Sequence, residues 1–348
     1  MKSIFKITCY IVIFFIAVQI IIGNSLLVDF VYDGRPVYDV IKDDINTYDL
    51  ALKAVKKIID REKLEDYAIL IGDSVAYGSP GPSNTTISYY LNEKAKAEGK
   101  SFRVFNLAFP AMYAGDYYAV LLKMQKYGIS NKHVIININY PGFAIRDSTD
   151  LIWAAYWLKE DLIKDGIETE YKMEPTSFKK VKNKILRNIP IFAYRGFIQY
   201  RFNNSAKSIF NGNSVQEPVQ PWTEKPYLYE YMQDEFIQKS FRDKPFDMDT
   251  NPQAVFLDKI IQMQEGNDTI IFMAAANDLL LSDATSKPGY KENIEKVRSF
   301  FKNKDVTYID FNGNIDYNLF SDHLHMTADG YKYMAEQLWN EVIKWDIH

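Results

Sequence analysis

The chain has 348 residues, a formal net charge of −4, 47% hydrophobic residues and a single cysteine. A chain this long can bury a sizeable core as one large domain or two small ones; its negative balance argues against a general nucleic-acid binder, and one cysteine forbids an intrachain disulfide. No Gly-rich phosphate loop, Cys-x-x-Cys pair or His-x-x-x-His spacing is present, so neither a metal nor an organic cofactor is implied.

From Ile7 to Val28 run 22 uncharged residues, mostly Ile, Val and Phe. At about 1.5 Å of helical rise per residue they suffice for a hydrocarbon core of roughly 30 Å. Lys2 and Lys6 precede this run while Asp29 and Asp33 follow it, which predicts a cytoplasmic tip and an outside location for everything beyond residue 28. A cleaved signal peptide would have a shorter apolar region ending in a small-x-small site, and Gln19 to Ser25 offers none. Cys9 stands too early in the run to be a lipoprotein acylation site. Residues 1–28 are therefore expected to be a single-pass, uncleaved membrane anchor.

Residues 29–66 read as a connecting segment and a helix, with Ala51, Val55, Ile58 and Ile59 along one apolar face. Apolar strands are then expected at 67–72, 102–109, 133–139, 269–276 and 306–311, separated by helical patterns such as Asp116 to Tyr127 and Tyr290 to Asn303. A last helix is expected from Thr327 to Trp345. Five strands alternating with helices predict a three-layer α/β/α fold around a mostly parallel sheet. The spacing breaks once, so the core divides into 67–145 and 257–348 around an insertion at 146–256 with structure of its own. The insertion carries Trp153, Trp157 and Trp222. Between 179 and 207 it has eight Lys or Arg and no Asp or Glu, interleaved with residues such as Ile185, Phe192, Tyr194 and Tyr200. This stretch reads either as a basic aromatic surface for an anionic polymer, lipid headgroups or a membrane partner, or as a helix with a solvated basic face. The acidic stretch from Gln216 to Asp249 could pair with it inside the fold.

Two short motifs some 250 residues apart carry the chemistry. Gly72-Asp73-Ser74 ends the first strand, where open α/β sheets place their functional groups. Asp322-His323-Leu324-His325 stands where an irregular segment enters the last helix. A serine hydroxyl is a weak nucleophile at neutral pH and needs a base within hydrogen-bond reach, itself oriented by a third group. Ser74, His325 and Asp322 can fill those roles, because an Asp three residues before a His can hold one ring nitrogen and leave the other for the serine. His323 lacks an Asp at that offset, and His133 and His348 receive no role.

These blocks resemble the SGNH (GDSL-like) hydrolase and acyltransferase superfamily. Between them, Asn106-Leu107-Ala108-Phe109-Pro110-Ala111 is similar to that family's Asn-x-Gly-x-x-Gly block, with alanine at both glycine positions. The resemblance implies an oxyanion hole made from the backbone N–H groups of Ser74 and Ala111 and an asparagine side chain. Ala111 fills its place provided that the backbone does not require a positive φ. The third block, usually Gly-x-Asn-Asp, is matched least; Asn139 after the strand Val134 to Asn139 is the candidate, with Asn277 after a later strand as the alternative.

An anchored, extracytoplasmic domain of this kind resembles proteins that act beside multipass membrane-bound O-acyltransferases in O-acetylation of cell-surface polysaccharides, and more loosely the D-alanyl transfer protein of teichoic-acid modification. What this implies is an acyl-Ser74 intermediate that passes an acetyl group to an envelope glycan. The alternatives are a carbohydrate O-acetylesterase, D-alanyl transfer to teichoic acid, and an inactive scaffold subunit.

Overall fold

The computed structural model describes residues 2–24, 28–145, 157–167, 189–211 and 218–347. Runs rich in Ile, Val and Phe form five strands: β1 (Tyr67–Ile71), β2 (Arg103–Asn106), β3 (His133–Ile138), β4 (Asp268–Met273) and β5 (Thr307–Asp310). All five stand where the apolar runs place them. β2 stops short of Phe109 because the Asn106 side chain folds back, accepting the Ala108 N–H at 2.9 Å and donating to the Ala76 carbonyl at 2.7 Å.

The strands form one sheet in the order β2-β1-β3-β4-β5, and every pairing is parallel. β1 and β3 are buried at each position, as strands covered on both faces must be. From β1 the chain moves outward to β2, then returns past β1 to β3 and continues to β4 and β5. Right-handed crossovers therefore put the helix Ile87–Ala97 on one face and the helices Ala114–Lys126, Pro252–Met263 and Pro288–Phe301 on the other. The packing agrees: the last helix, Ala328–Val342, lies on Ile87–Ala97, and Pro252–Met263 lies on Ala114–Lys126. The result is a three-layer α/β/α core. Its connections diverge between β1 and β3, which opens a crevice at the C-terminal ends of those two strands.

The helix Tyr48–Glu62 buries Ala51, Val55, Ile58 and Ile59. Lys123, with its side chain only 9% exposed, ties this helix to the insertion by pairing with Asp49 at 2.5 Å and Asp161 at 3.1 Å. The described parts of the insertion contain helices and no strand, among them Lys159–Lys164, Pro190–Asn211, Leu228–Tyr231 and Glu235–Ser240. Trp153 and the basic residues from Lys179 to Arg187 lie outside the described residues.

The expected anchor is helical from Lys2 to Asn24, and its side chains beyond Ala17 lie outside the description. Among the described residues no helix is long and apolar enough to cross a membrane. The helix Pro190–Asn211 packs against this N-terminal helix and against Tyr38–Ile41.

The last helix begins on a tight turn. Thr327 caps it by accepting the Gly330 N–H, and a Cβ at Gly330 would stand 2.5 Å from the Leu319 carbonyl oxygen and 2.8 Å from the Met326 Cβ. The two neighbours flank the Asp-x-x-His motif, one on each side of the loop that the Phe320–Met326 bridge closes. Alanine would otherwise favour the helix by about 1 kcal/mol, but overpacking against backbone costs more. Gly330→Ala is expected to destabilise the protein by about 1–3 kcal/mol, measured by chemical denaturation.

Candidate active site

Ser74 opens the short helix Ser74–Tyr77 immediately after β1. Asp73 caps that helix, its carboxylate accepting the Val75 N–H at 2.7 Å, and Gly78 closes it at a φ of +86°. The turn passes so close to β3 that a Cβ on Gly72 would lie 2.6 Å from the Asn137 Cβ and 2.7 Å from the Ala76 Cβ. Only glycine lets the nucleophile turn this tightly against the neighbouring strand.

The base arrives from the far end of the chain. Residues 321–325 form a small closed loop in which the Ser321 N–H donates to the His325 carbonyl at 2.8 Å. Asp322 organises it from inside: Oδ1 accepts the N–H groups of Leu324 and His325, each at 2.8 Å, and Oδ2 lies 2.8 Å from His325 Nδ1. His325 Nε2 lies 2.8 Å from Ser74 Oγ. With Nδ1–H donating to the carboxylate, Nε2 is left as the acceptor for the serine hydroxyl. Nucleophile, base and acid are aligned.

Electrostatics supports those roles. Burial would push Asp322 up, but the charge of His325 and its hydrogen bonds hold the carboxyl well below the usual range. Burial likewise opposes a charge on His325, yet Asp322 outweighs it and keeps the imidazole above its ordinary 6.5. Asp73 is pushed up to about 6 by burial, against the pull of the Val75 N–H, His325 and Asn139.

The candidate oxyanion donors stand in different surroundings. Asn139 follows β3, caps the next short helix by accepting the Gly142 N–H at 2.8 Å, and donates a very short hydrogen bond from Nδ2 to Asp73. An amide nitrogen carries two hydrogens, so one N–H remains for a developing oxyanion. Asn277 is engaged elsewhere: its N–H donates to the His323 carbonyl at 3.0 Å, its Nδ2 to the Asp322 carbonyl at 3.3 Å, and its Oδ1 accepts the Leu280 N–H at 3.2 Å. Asn277 braces the loop that carries the acid and base. Ala111 has a φ of +62°, the left-handed conformation that glycine adopts freely and alanine adopts at a cost of about 1 kcal/mol. Its side of the crevice is tied to the nucleophile turn, since the Phe109 N–H donates to the Gly72 carbonyl at 3.0 Å.

His323 packs edge-on against Phe241 at 5.8 Å, and burial lowers its pKa. Among the described residues no group of His, Cys, Asp and Glu could hold a metal ion.

Ser74 and His325 stand at the edge of a cavity of about 650 Å³, lined also by Arg35, Tyr38, Tyr77, Pro110 and Tyr200. That is the size of a small-molecule or oligomer-end site. Most of its walls carry no recognisable sequence pattern. Arg35, within the expected connecting segment, lies 4.0 Å above the Tyr77 ring and donates to the carbonyls of Tyr77 and Gly81, each at 2.7 Å, holding the loop after the nucleophile. Tyr331 donates to the Ser79 carbonyl at 2.6 Å from the other side. Tyr200 and Arg201 come from the insertion helix, and Arg201 pairs with Asp33 at 3.7 Å. An arginine that binds carbonyls rather than carboxylates leaves no pattern in sequence, whereas Asp73 was in view as part of the motif and lacked only a role.

No family model matches the sequence, and no curated protein matches it. Solved structures do. A lipolytic protein of the G-D-S-L family from Desulfitobacterium hafniense is 14% identical, with a TM-score of 0.39 over 80% of this chain and 99% of that one. One from Veillonella parvula is 12% identical, with a TM-score of 0.38 over 79% and 96%. A psychrotrophic esterase from Pseudoalteromonas sp. is 9% identical, with a TM-score of 0.37 over 81% and 98%. All three are remote, and the chemistry of this site rests on its own geometry.

Two outcomes follow from that geometry. A general base must be neutral, so ester turnover is expected to rise with pH through an inflection above 6.5. In Asp322→Asn the raising charge is gone while burial remains, so the inflection should move to lower pH and kcat should fall by on the order of 10³–10⁴; a pH–rate profile checks both. Ala111→Gly relieves the left-handed strain but loosens the unfolded chain, so it should change stability by less than about 1 kcal/mol and leave kcat intact, as denaturation and aryl-ester assays would show.

Proposed function

We propose that this chain is an SGNH-type serine enzyme of acyl transfer, working on an ester through an acyl-Ser74 intermediate. The observation that carries this reading is the continuous chain from Asp322 to His325 to Ser74, with both contacts at 2.8 Å, at the edge of an open cavity. Ser74 Oγ adds to the acyl carbonyl as its proton passes to His325 Nε2. The carbonyl electron pair moves onto oxygen, which the N–H groups of Ser74 and Ala111 and the remaining Asn139 N–H would receive. Collapse expels the leaving alkoxide, which takes the proton from His325. An acceptor hydroxyl then gives its proton to His325, attacks the acyl-serine, and releases Ser74, which recovers the proton.

The finer reading is transfer of an O-acetyl group to a cell-surface polysaccharide. Hydrolysis of a carbohydrate O-acetyl ester is the same chemistry with water as acceptor, and D-alanyl transfer to teichoic acid the same with another acyl group. The open cavity, walled by Tyr38, Tyr77 and Tyr200, supports a bulky acceptor hydroxyl over water alone. An inactive scaffold would have no reason to keep the base and acid aligned on the serine.

The reading includes a membrane location. The N-terminal helix leaves side chains such as Ile7, Ile11 and Phe14 exposed, which supports a lipid surrounding for it. Because the helix Pro190–Asn211 packs on it and supplies Tyr200 to the cavity, such an anchor would hold the site near the bilayer. There a multipass O-acyltransferase could hand over the acyl group.

Ser74→Ala should reduce turnover of an aryl acetate by on the order of 10⁴-fold or more, with the fold intact by circular dichroism. Incubation with an acetyl donor and a panel of surface glycans should yield acetylated glycan with the wild type alone. Free acetate without glycan product would move the assignment to the esterase, and equal activity in wild type and Ser74→Ala would refute the reading altogether.

A further inference from the structure

A second surface beside the catalytic loop carries chemistry that the cavity does not use. The insertion segment from Trp222 to Lys225 is fastened along residues 317–321, which lead directly into Asp322. The Trp222 N–H donates to the Phe320 carbonyl at 3.0 Å, Trp222 Nε1 to the Tyr317 carbonyl at 2.9 Å, and Lys225 Nζ to the Ser321 carbonyl at 2.8 Å. Trp222 is buried, and two tyrosines stand edge-on beside it: Tyr229 at 6.1 Å and Tyr317 at 6.5 Å. The short helix Leu228–Tyr231 is held down by buried Leu228 and Met232. This leaves Tyr227 63%, Tyr229 59%, Tyr231 47% and Tyr317 46% exposed. Tyr231 lies 6.1 Å from His323, the neighbour of the catalytic acid.

Large aromatic rings left together in water mark a binding surface more often than scattered ones do. Charge decides what binds. Between Trp222 and Phe236 the charged residues are Glu224, Lys225, Glu230, Asp234 and Glu235, and Asp316 precedes Tyr317. Five carboxylates against one lysine, whose ammonium is turned to the Ser321 carbonyl, make this stretch of chain net acidic. That field repels phosphate- or carboxylate-bearing polymers and anionic lipid. It also disfavours a protein partner, since the cores of protein interfaces are depleted in Asp and Glu. A sugar ring fits both features: its C–H face covers an aromatic ring, and its hydroxyls donate to carboxylates.

We propose that Tyr227, Tyr229, Tyr231 and Tyr317 form a docking surface for a non-anionic glycan chain, which they deliver toward Ser74 past the catalytic loop. This deepens the reading of Ser74 as the centre of acyl transfer to or from a glycan and rests on it. The surface sets polymer affinity and leaves the acyl chemistry to the cavity residues.

The test separates binding from turnover. Full-length Ser74→Ala protein is run in native gels containing hydroxyethyl cellulose, partly acetylated xylan, chitosan or polygalacturonate, alone and combined with Tyr227→Ser, Tyr229→Ser and Tyr317→Ser. Retardation by at least one non-anionic polymer is expected, weakened at least tenfold by the serine substitutions and retained when the three tyrosines become phenylalanine. The same substitutions in the active enzyme should leave aryl-acetate kcat/KM within about twofold while raising KM for an acetylated polymer. The proposal is overturned by equal retardation of parent and serine variant, by no retardation in any gel, by preference for polygalacturonate, or by self-association in sedimentation runs that the serine substitutions abolish. Tyrosine-dependent retardation with no Ser74-dependent ester turnover would sustain the surface and refute the catalytic reading instead.

Discussion

The contact between His325 Nε2 and Ser74 Oγ joins residues 251 positions apart in the chain, and the rest of the molecule can be understood as the means of holding it. A hydrogen bond of this kind contributes only about 1 kcal/mol net, far too little to bring the two ends of a long chain together. The sheet does that work. β1 delivers Ser74 to the C-terminal edge, the path through β5 returns the chain to the same edge, and the helix Ala328–Val342, lying on Ile87–Ala97, fixes where the last loop can stand. Over that scaffold the two motifs need only local order, which each supplies through its own aspartate. Asp73 caps the turn behind the serine, and Asp322 folds the loop that presents the imidazole.

Much of this is legible in the sequence. Buried parallel strands such as β1, β3 and β4 are nearly continuous apolar runs, which is why they stand out in the sequence, and a Gly-Asp-Ser at the end of one of them with an Asp-x-x-His before the last helix marks the candidate reacting groups. What escaped was everything held by main-chain carbonyls or decided by tertiary neighbours. Arg35 binds the carbonyls of Tyr77 and Gly81, and nothing in its sequence surroundings distinguishes it from any surface arginine. Asn139 and Asn277 differ in what they touch, the one Asp73 beside the nucleophile turn and the other the main chain of Asp322 and His323, and only three-dimensional neighbours reveal that. Ala111 raised a question that sequence could pose but not answer: whether the backbone there would be left-handed. It is, at a φ of +62°.

That residue has a physical lesson. Where glycine would meet the conformation without cost, alanine tolerates it because the surrounding backbone is fixed: the Met112 N–H donates to the Phe109 carbonyl and the Phe109 N–H to the Gly72 carbonyl. Strain of about 1 kcal/mol persists only where neighbours over-determine the geometry. The same neighbours hold the Ala111 side of the crevice in register with the turn that carries Ser74, so alanine at this position is compatible with an ordered site.

The insertion differs in kind from the core. Its described helices add no strand to the sheet, yet they wall the cavity with Tyr200, brace the helix Ala114–Lys126 through Asp161, and clamp the segment ahead of Asp322 through Trp222 and Lys225. The Ser74–His325 pair thus stands at the sheet edge, whereas the cavity beside it is walled in part by residues between 33 and 39 and by Tyr200 and Arg201 of the insertion. The central claim is that Ser74 carries the acyl group. Mixing the enzyme with an activated acetyl ester, quenching in acid within milliseconds to seconds, and sequencing the peptides by mass spectrometry tests it directly. The account predicts transient acetylation at Ser74 that is lost in His325→Ala, and acetyl on another residue, or full turnover with Ser74 never modified, would contradict it.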